Sequence, residues 1–269
     1  MDEIFRESLY NRLRDWVLQA GEMIRSKIDD PLAIDTKSTP KDLVTQMDRE
    51  VEIFFATKIK QFYPEHAMLG EEGYGDYLTE TSGTIWIIDP IDGTMNFVNQ
   101  KKHFAISVGI YENGIGEIGM VYDVMNNQLY SGLLGGGAYR NDQRLQQLNP
   151  QKTLDTSIIS LNHHWLMPNR IVDEKYLHKL IRDVRGSRSF GSAALEFMHV
   201  AEGSSDAYVS MQLAPWDFAA GKIILNEVGG IMSDTDGKPV NVLENSSILI
   251  CNPSIQEELL HDYLLPAKK

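Results

Sequence analysis

One stretch constrains this chain more than any other: Trp86-Ile87-Ile88-Asp89-Pro90-Ile91-Asp92-Gly93-Thr94-Met95-Asn96-Phe97. Its apolar run predicts a buried strand. The run meets two carboxylates, Asp89 and Asp92, three residues apart with Pro90 between them. Proline fixes its own φ and gives the ladder no donor, so the strand is expected to end at Pro90. Asp89 and Asp92 would then face one point across a tight turn. Two acids at the end of a buried strand are costly unless they are paired or bind a metal. Oxygen-only ligands suit a hard divalent cation such as Mg²⁺. Gly93 lets backbone amides approach a ligand closely, and Thr94 adds a hydroxyl. Carboxylates beside bare amides and a hydroxyl suggest a phosphate held against a metal; a plain turn is the alternative at this point.

Charge narrows the partners. With 25 Lys and Arg against 38 Asp and Glu, the formal charge is −13 over 269 residues. That argues against nucleic acid and against an anionic membrane surface, and leaves a small molecule as the expected partner. Phosphate chemistry in so acidic a chain requires cations locally. The single cysteine, Cys251, allows no internal disulfide and points to a reducing compartment. The opening residues lack the basic-then-apolar layout of a signal peptide, and no apolar run reaches the roughly 18 residues of a spanning helix. A cytoplasmic location is the expectation. Asn245-Ser246-Ser247 fits a sequon but reads as a plain loop.

Apolar periodicity predicts a first helix over about 3–28 and a second over about 48–62, with Val51, Phe54, Phe55, Ile59 and Phe62 inward. Short strands are expected at Ala33-Ile34-Asp35 and Ala67-Met68-Leu69, the latter leading into Gly70-Glu71-Glu72-Gly73. A polar loop over 74–83 follows. Segments 104–111, 115–124 and 128–133 predict a meander, with Asn113-Gly114 as a hairpin turn. Gly135-Gly136-Gly137 precedes no helical pattern and reads as a hairpin or bulge. After about Asn149 strands at 157–161, near Arg188, at 207–209 and at 247–250 alternate with helices at 172–184, 193–201, 218–228 and 255–260. That rhythm predicts an α/β layer. The expected division is an N-terminal α+β part, 1–148, with the main metal motifs, and a C-terminal α/β part, 149–269, packed as one functional unit.

Two further acids stand at apparent element ends: Glu71 after a strand, and Asp217 in Pro215-Trp216-Asp217. A solvated loop acid and a helix cap are their plain alternatives. Lys37 to Asp48 reads as a polar loop entering a helix, with Thr45 or Asp48 as cap. Asp234-Thr235-Asp236-Gly237 begins like a calcium loop but lacks its completing acid, so a hairpin turn is expected. His163 and His164 are adjacent, so on a strand they would face opposite ways and share no metal. No nucleophile elbow, Walker loop or dinucleotide fingerprint occurs.

Together these pieces resemble the inositol monophosphatase family. Gly70-Glu71-Glu72 is similar to its first motif, Trp86 to Phe97 to its central metal motif, and Pro215-Trp216-Asp217-Phe218-Ala219-Ala220-Gly221 to its C-terminal motif. The resemblance runs from Lys37 to about Gly230. It implies a layered α-β-α-β-α sandwich of the sugar phosphatase type, usually a homodimer, dependent on two or three Mg²⁺ per site and inhibited by Li⁺. It implies metal ligands at Glu71, Asp89, Asp92, Asp217 and the Ile91 carbonyl. Catalytic roles fall on Glu71, on Thr94 paired with Asp48, and on Lys37 near the activated water. Asp92, Gly93, Thr94 and Asp217 would meet the phosphate end of the substrate, and Gly191, Ser192 and Ala193 its alcohol part. Family members that contact the inositol ring often carry Glu seven residues before the C-terminal metal Asp; this chain has Ser210 there.

The implied reaction is hydrolysis of inositol monophosphate by direct attack of water. The alternatives are a phosphatase for NADP(H), also acting on fructose 1,6-bisphosphate or 3′-phosphoadenosine 5′-phosphate, and a non-catalytic regulatory protein on the same fold.

Overall fold

Leu9, Leu13, Trp16, Val17, Ala20 and Ile24 lie on one stripe of helix α1 (Glu3–Lys27), and all are buried. Asp2 caps that helix by accepting from Phe5 N at 2.9 Å. The computed structural model describes residues 1–30, 34–36 and 43–269. Strands β1 (Ile34–Thr36) and β2 (Leu43–Thr45) pair antiparallel and lead into α2 (Gln46–Phe62). Next come β3 (Ala67–Gly70), β4 (Thr84–Asp92), the short α3 (Thr94–Gln100), β5 (Ala105–Glu112), β6 (Ile115–Asp123), β7 (Gln128–Leu133), β8 (Gly137–Arg140) and β9 (Gln143–Arg144). The remainder alternates: β10 (Ile158–Leu161), α4 (Glu174–Asp183), β11 (Gly186–Arg188), α5 (Ala193–Ala201), β12 (Ala207–Leu213), α6 (Pro215–Glu227), β13 (Ile231–Ser233), β14 (Ser246–Cys251) and α7 (Gln256–Leu259).

Strands β3 to β9 form a seven-stranded sheet in chain order, with β3 parallel to β4 and the later pairs antiparallel. The other large sheet runs β11-β10-β12-β14-β13 and is mixed. Side chains on a strand alternate between faces, and both faces of β4 are covered. Trp86 and Ile88 pack with α1 and α2, whereas Ile85 and Ile87 pack with α5 and α6. On the far side of α5 and α6 lie Ile248 and Ile250 of the five-stranded sheet. Its outer face packs on Leu177 and Leu180 of α4 and Leu259 of α7. The layers are therefore α-β-α-β-α. No helix among the described residues is long and apolar enough to cross a membrane.

A row of glycines seats α6. Gly109, Gly119 and Gly132 are register partners on β5, β6 and β7. A Cβ at Gly119 would lie 2.5 Å from the Ala220 carbonyl oxygen, and one at Gly132 would lie 2.9 Å from Ile224 Cα. The helix therefore rests almost directly on sheet backbone, and its first turn, with Asp217, is fixed in height.

Several expectations shift. Helix α2 begins at Gln46 because Thr45 and Asp48 form a reciprocal capping box. Phe62 is 44% exposed rather than inward, lying at the C-terminal end of its helix. Asn113 and Gly114 both have positive φ, 51° and 81°, as a tight hairpin turn demands. Gly135 to Gly137 joins β7 to β8, and 234–237 is a turn after β13. His163 and His164 lie on a short 3₁₀ helix, not a strand, because β10 ends at Leu161 and Asn162 caps the turn through His164 N.

Candidate active site

Strand β4 does not end at Pro90. It continues to Asp92 through a bulge: Asp89 pairs with Ser107 and Asp92 with Ala105, so β4 has one residue more than its partner. Pro90 sits in that irregularity, where no ladder donor is needed. The bulge also explains the convergence of the two acids. Residues three apart on a regular strand face opposite ways, and one extra residue restores a common face.

Asp217 arrives from the other direction, in the first turn of α6 behind Pro215, where Ala214 N donates to its Oδ2 at 2.8 Å. Carboxylate oxygens of Asp89, Asp92 and Asp217 all lie within 4.8 Å of one another. Glu71, just beyond β3, donates its amide to the Ile88 carbonyl at 3.3 Å and turns its carboxylate toward Asp89.

Burial and the neighbouring charges of Glu71, Asp92 and Asp217 push Asp89 well above the usual carboxylate range. Burial also raises Asp92, to about 6, although hydrogen bonds from Ser192 Oγ and Ala194 N temper the rise. Ala194 N donates to Asp92 Oδ2 at 2.7 Å, and the Ser192 hydroxyl binds the same oxygen. Asp92 thus sits on the N-terminus of α5, a favourable place for a negative charge. This hard-oxygen donor set, crowded and partly buried, fits divalent magnesium better than any softer metal.

Thr94 opens α3, and Gly93 precedes it with φ of 94°, a backbone shape suited to glycine. Thr94 Oγ1 lies 3.2 Å from Asp48 Oδ1 and 3.1 Å from the Ile91 carbonyl oxygen. Asp48 is fully buried, and burial raises its pKa against the lowering effect of the Thr45 hydroxyl and amide. Lys37 lies outside the described residues.

A cleft of about 300 Å³ adjoins the acids, with Asp92, Asp217, Ser192, Tyr208, Ser210 and His164 in its lining. Gly191 and Ala193 line it too, so all three residues expected to meet the alcohol part are there. Ser210 is buried on β12, its hydroxyl directed to the Gln212 carbonyl at 3.2 Å. Asn96 of α3 ties the neighbouring loop in place, donating to the carbonyls of His103 and Phe190 at 2.9 and 2.7 Å.

Sequence reasoning missed three residues at this site. Glu52 of α2 is fully buried and accepts from Glu72 N at 2.7 Å and Tyr74 N at 2.8 Å, bracing the loop that carries Glu71. Its position one turn after Asp48, beside inward Val51 and Phe55, was the available signal. Glu196 and His164, both in the cleft lining, carried none.

Known proteins agree with this architecture. A sequence profile of the inositol monophosphatase family matches residues 6–266. The chain belongs to the inositol monophosphatase family. It is accordingly a phosphatase acting on phosphate monoesters. It is 48% identical to the inositol-1-monophosphatase of Bacillus subtilis (strain 168), over 93% of this chain and 94% of that one. The crystal structure of inositol monophosphate-bound SaIMPase-II superposes with a TM-score of 0.87 at 39% identity, covering 96% of this chain and 94% of that one. An IMPase/NADP phosphatase complexed with Mg²⁺ and phosphate gives 0.89 at 26% identity, covering 98% and 99%.

Proposed function

We propose that this protein is a Mg²⁺-dependent phosphatase that hydrolyses inositol monophosphate to inositol and phosphate. The convergence of Asp89, Asp92 and Asp217 beside the Thr94–Asp48 pair carries this reading. Glu71, Asp89, Asp92, Asp217 and the Ile91 carbonyl are the groups that would hold two or three Mg²⁺, at the seam between the parts 1–148 and 149–269. Bound there, the ions would neutralise the phosphate and lower the pKa of a coordinated water.

The protein's own groups divide the remaining work. Amides at Gly93 and Thr94, in the unpaired first turn of α3, bind phosphate oxygens. Thr94, oriented by Asp48, aligns or deprotonates the attacking water with help from Glu71, and the family resemblance assigns Lys37 to the same step. The water oxygen joins phosphorus, the P–O bond to the ring breaks, and the alcohol leaves with a proton. Gly191, Ser192, Ala193 and Ser210 face that alcohol. Inhibition by Li⁺, a homodimer and a cytoplasmic setting belong to the same reading.

Ser210 supports a second reading, in which the substrate is NADP(H), fructose 1,6-bisphosphate or 3′-phosphoadenosine 5′-phosphate. A small neutral residue there leaves room and removes one negative charge. A regulatory protein without catalysis is disfavoured because all four acids are present. Phosphate release with Mg²⁺, with and without Li⁺, from inositol 1-phosphate and these three esters decides among them. Preference for inositol 1-phosphate supports the first reading, preference for another ester replaces the substrate, and no release from any ester overturns both.

A further inference from the structure

Lys222 lies five residues beyond Asp217 on α6 and is half-buried. Among the described residues no carboxylate pairs with its ammonium, and burial alone lowers its pKa. In a chain of formal charge −13, a cation drawn partly out of water without a counter-ion stands out. Asn226 lies one turn further along the same face of α6. It is exposed, and its side-chain amide makes no hydrogen bond among the described residues. Together the two side chains offer an ammonium and an amide N–H, donors that a carboxylate satisfies.

Both residues line a cleft of about 230 Å³ between α6, the β5–β6 hairpin and the segment after β7. It shares no lining residue with the cleft at Asp92 and Asp217. Tyr111, Ile115, Leu134 and Ile223 give it apolar walls. Ile115 is 56% exposed and Leu134 39%, so apolar surface stands open beside the unpaired cation. Glu227 is in the lining too, but both its oxygens are held, by Gly135 N at 2.9 Å and Gly137 N at 2.8 Å. One cation and one amide suit a single negative charge. A phosphate dianion would meet too few donors and stronger repulsion from Glu227.

We propose that the cleft between α6 and the β5–β6 hairpin binds a small organic monocarboxylate. Lys222 and Asn226 take its carboxylate, and Ile115, Leu134 and Ile223 cover a compact apolar body. The charge fixes the orientation of the ligand, and the walls exclude anions that lack an apolar part.

The test titrates the Mg²⁺-loaded protein with benzoate, with benzyl alcohol as its neutral counterpart, and with inorganic phosphate, read by ligand-observed NMR. Benzoate should bind with a Kd on the order of 1 mM, as a ligand of that size allows. It should bind about tenfold tighter than benzyl alcohol, the effect of one hydrogen bond to a charged group. Lys222→Met keeps the stem and removes the charge, so the difference between the two ligands should vanish. A carboxylate bound instead at the metal acids would be unaffected by that substitution. Ile115→Asp, which sets a like charge at an exposed wall, should weaken benzoate more than benzyl alcohol and serves if the Met variant does not fold. Equal binding of benzoate and benzyl alcohol to the wild type would overturn the proposal. So would benzoate binding unchanged in Lys222→Met or Ile115→Asp, which would place the ligand elsewhere. Phosphate bound more tightly than benzoate, and lost in Lys222→Met, would replace the monocarboxylate by a phosphate and overturn it too. None of these readouts needs turnover, so their failure leaves the phosphatase reading untouched.

Discussion

Substituting Gly119→Ala tests whether the glycine row sets the height of Asp217. The added Cβ would stand 2.5 Å from the Ala220 carbonyl oxygen, whereas ordinary contact begins near 3.4 Å, so α6 must rise by about 0.9 Å. Neither atom is the end of a flexible side chain; both belong to packed elements, so relief requires moving the helix or the strand. Overpacking of this kind costs about 1–3 kcal/mol. Alanine would recover up to about 1 kcal/mol in a strand through lower unfolded-state entropy. Melting should therefore fall by several degrees, at roughly 2–4 °C per kcal/mol for a chain near this size. Ala220 is one turn from Asp217, so much of the shift reaches the carboxylate. A displacement near 1 Å costs on the order of a hundredfold in rate. The assay pairs thermal melting with kcat/KM for phosphate release and for Mg²⁺ activation. Gly186→Ala is the control, because its Cβ would meet nothing closer than 3.5 Å. Wild-type melting and turnover in Gly119→Ala would show that α6 is not held by close contact, and the argument would fail.

Asp92→Asn should lower kcat/KM by at least about a hundredfold. Its cost in stability should be much smaller, because relief of the buried charge offsets the loss of one acceptor for the α5 amides; wild-type turnover would refute the metal assignment. Glu52→Gln leaves one of two amides poorly met, so the Glu71 loop should loosen. A several-fold higher Mg²⁺ requirement and a loss of about 1–2 kcal/mol are expected, and an unchanged Mg²⁺ titration counts against the brace. Mg²⁺ at about 100 times its Kd should stabilise the fold by about 2.7 kcal/mol, so identical melting with Mg²⁺ and with EDTA would exclude binding by the folded state. Burial would raise Glu202, but bonds from His199, Ser204 and Tyr130 outweigh it and bring the pKa down to about 2. A lowered acid stabilises the fold above its unfolded value of 4.5 and loses that contribution as pH falls toward about 2. The melting deficit of Glu202→Gln should therefore shrink from pH 5 to pH 3, and a constant deficit argues against the ion-linked bonds.

The sequence disclosed what is local. Asn113-Gly114 announced its hairpin, Thr45 and Asp48 their cap, and the apolar stripe of α1 its buried face. It also showed that Asp89 and Asp92 converge, yet for the wrong local reason. The bulge depends on pairing with β5, and pairing is not written in β4 itself. Helix α3 escaped notice because Thr94 to Gln100 is too short to display a period. Glu196 looks like an ordinary helix-surface acid in a string of letters, and Glu52 is marked only by its place beside inward Val51 and Phe55; their amide partners come from the loop after β3 and from the loop before α5. The strand end at Leu161 was legible, but nothing in His164 itself showed that the 3₁₀ turn after it would line the cleft. At the site, single residues with obvious chemistry were legible, and the groups that hold them still were not.

The bonds from Ser192, Ala193 and Ala194 to Asp92 limit how this enzyme's substrate range can drift. On the proposed function, changes along 192–194 would retool the wall assigned to the alcohol and disturb a carboxylate assigned to the metal in one step, so most such variants would be eliminated before any new preference could be selected. The opposite wall, at Ser210 and Gln212 on β12, makes no such bond to Asp92. Variation there can accumulate while chemistry persists, which makes β12 the place where related chains should diverge first when they acquire new alcohols.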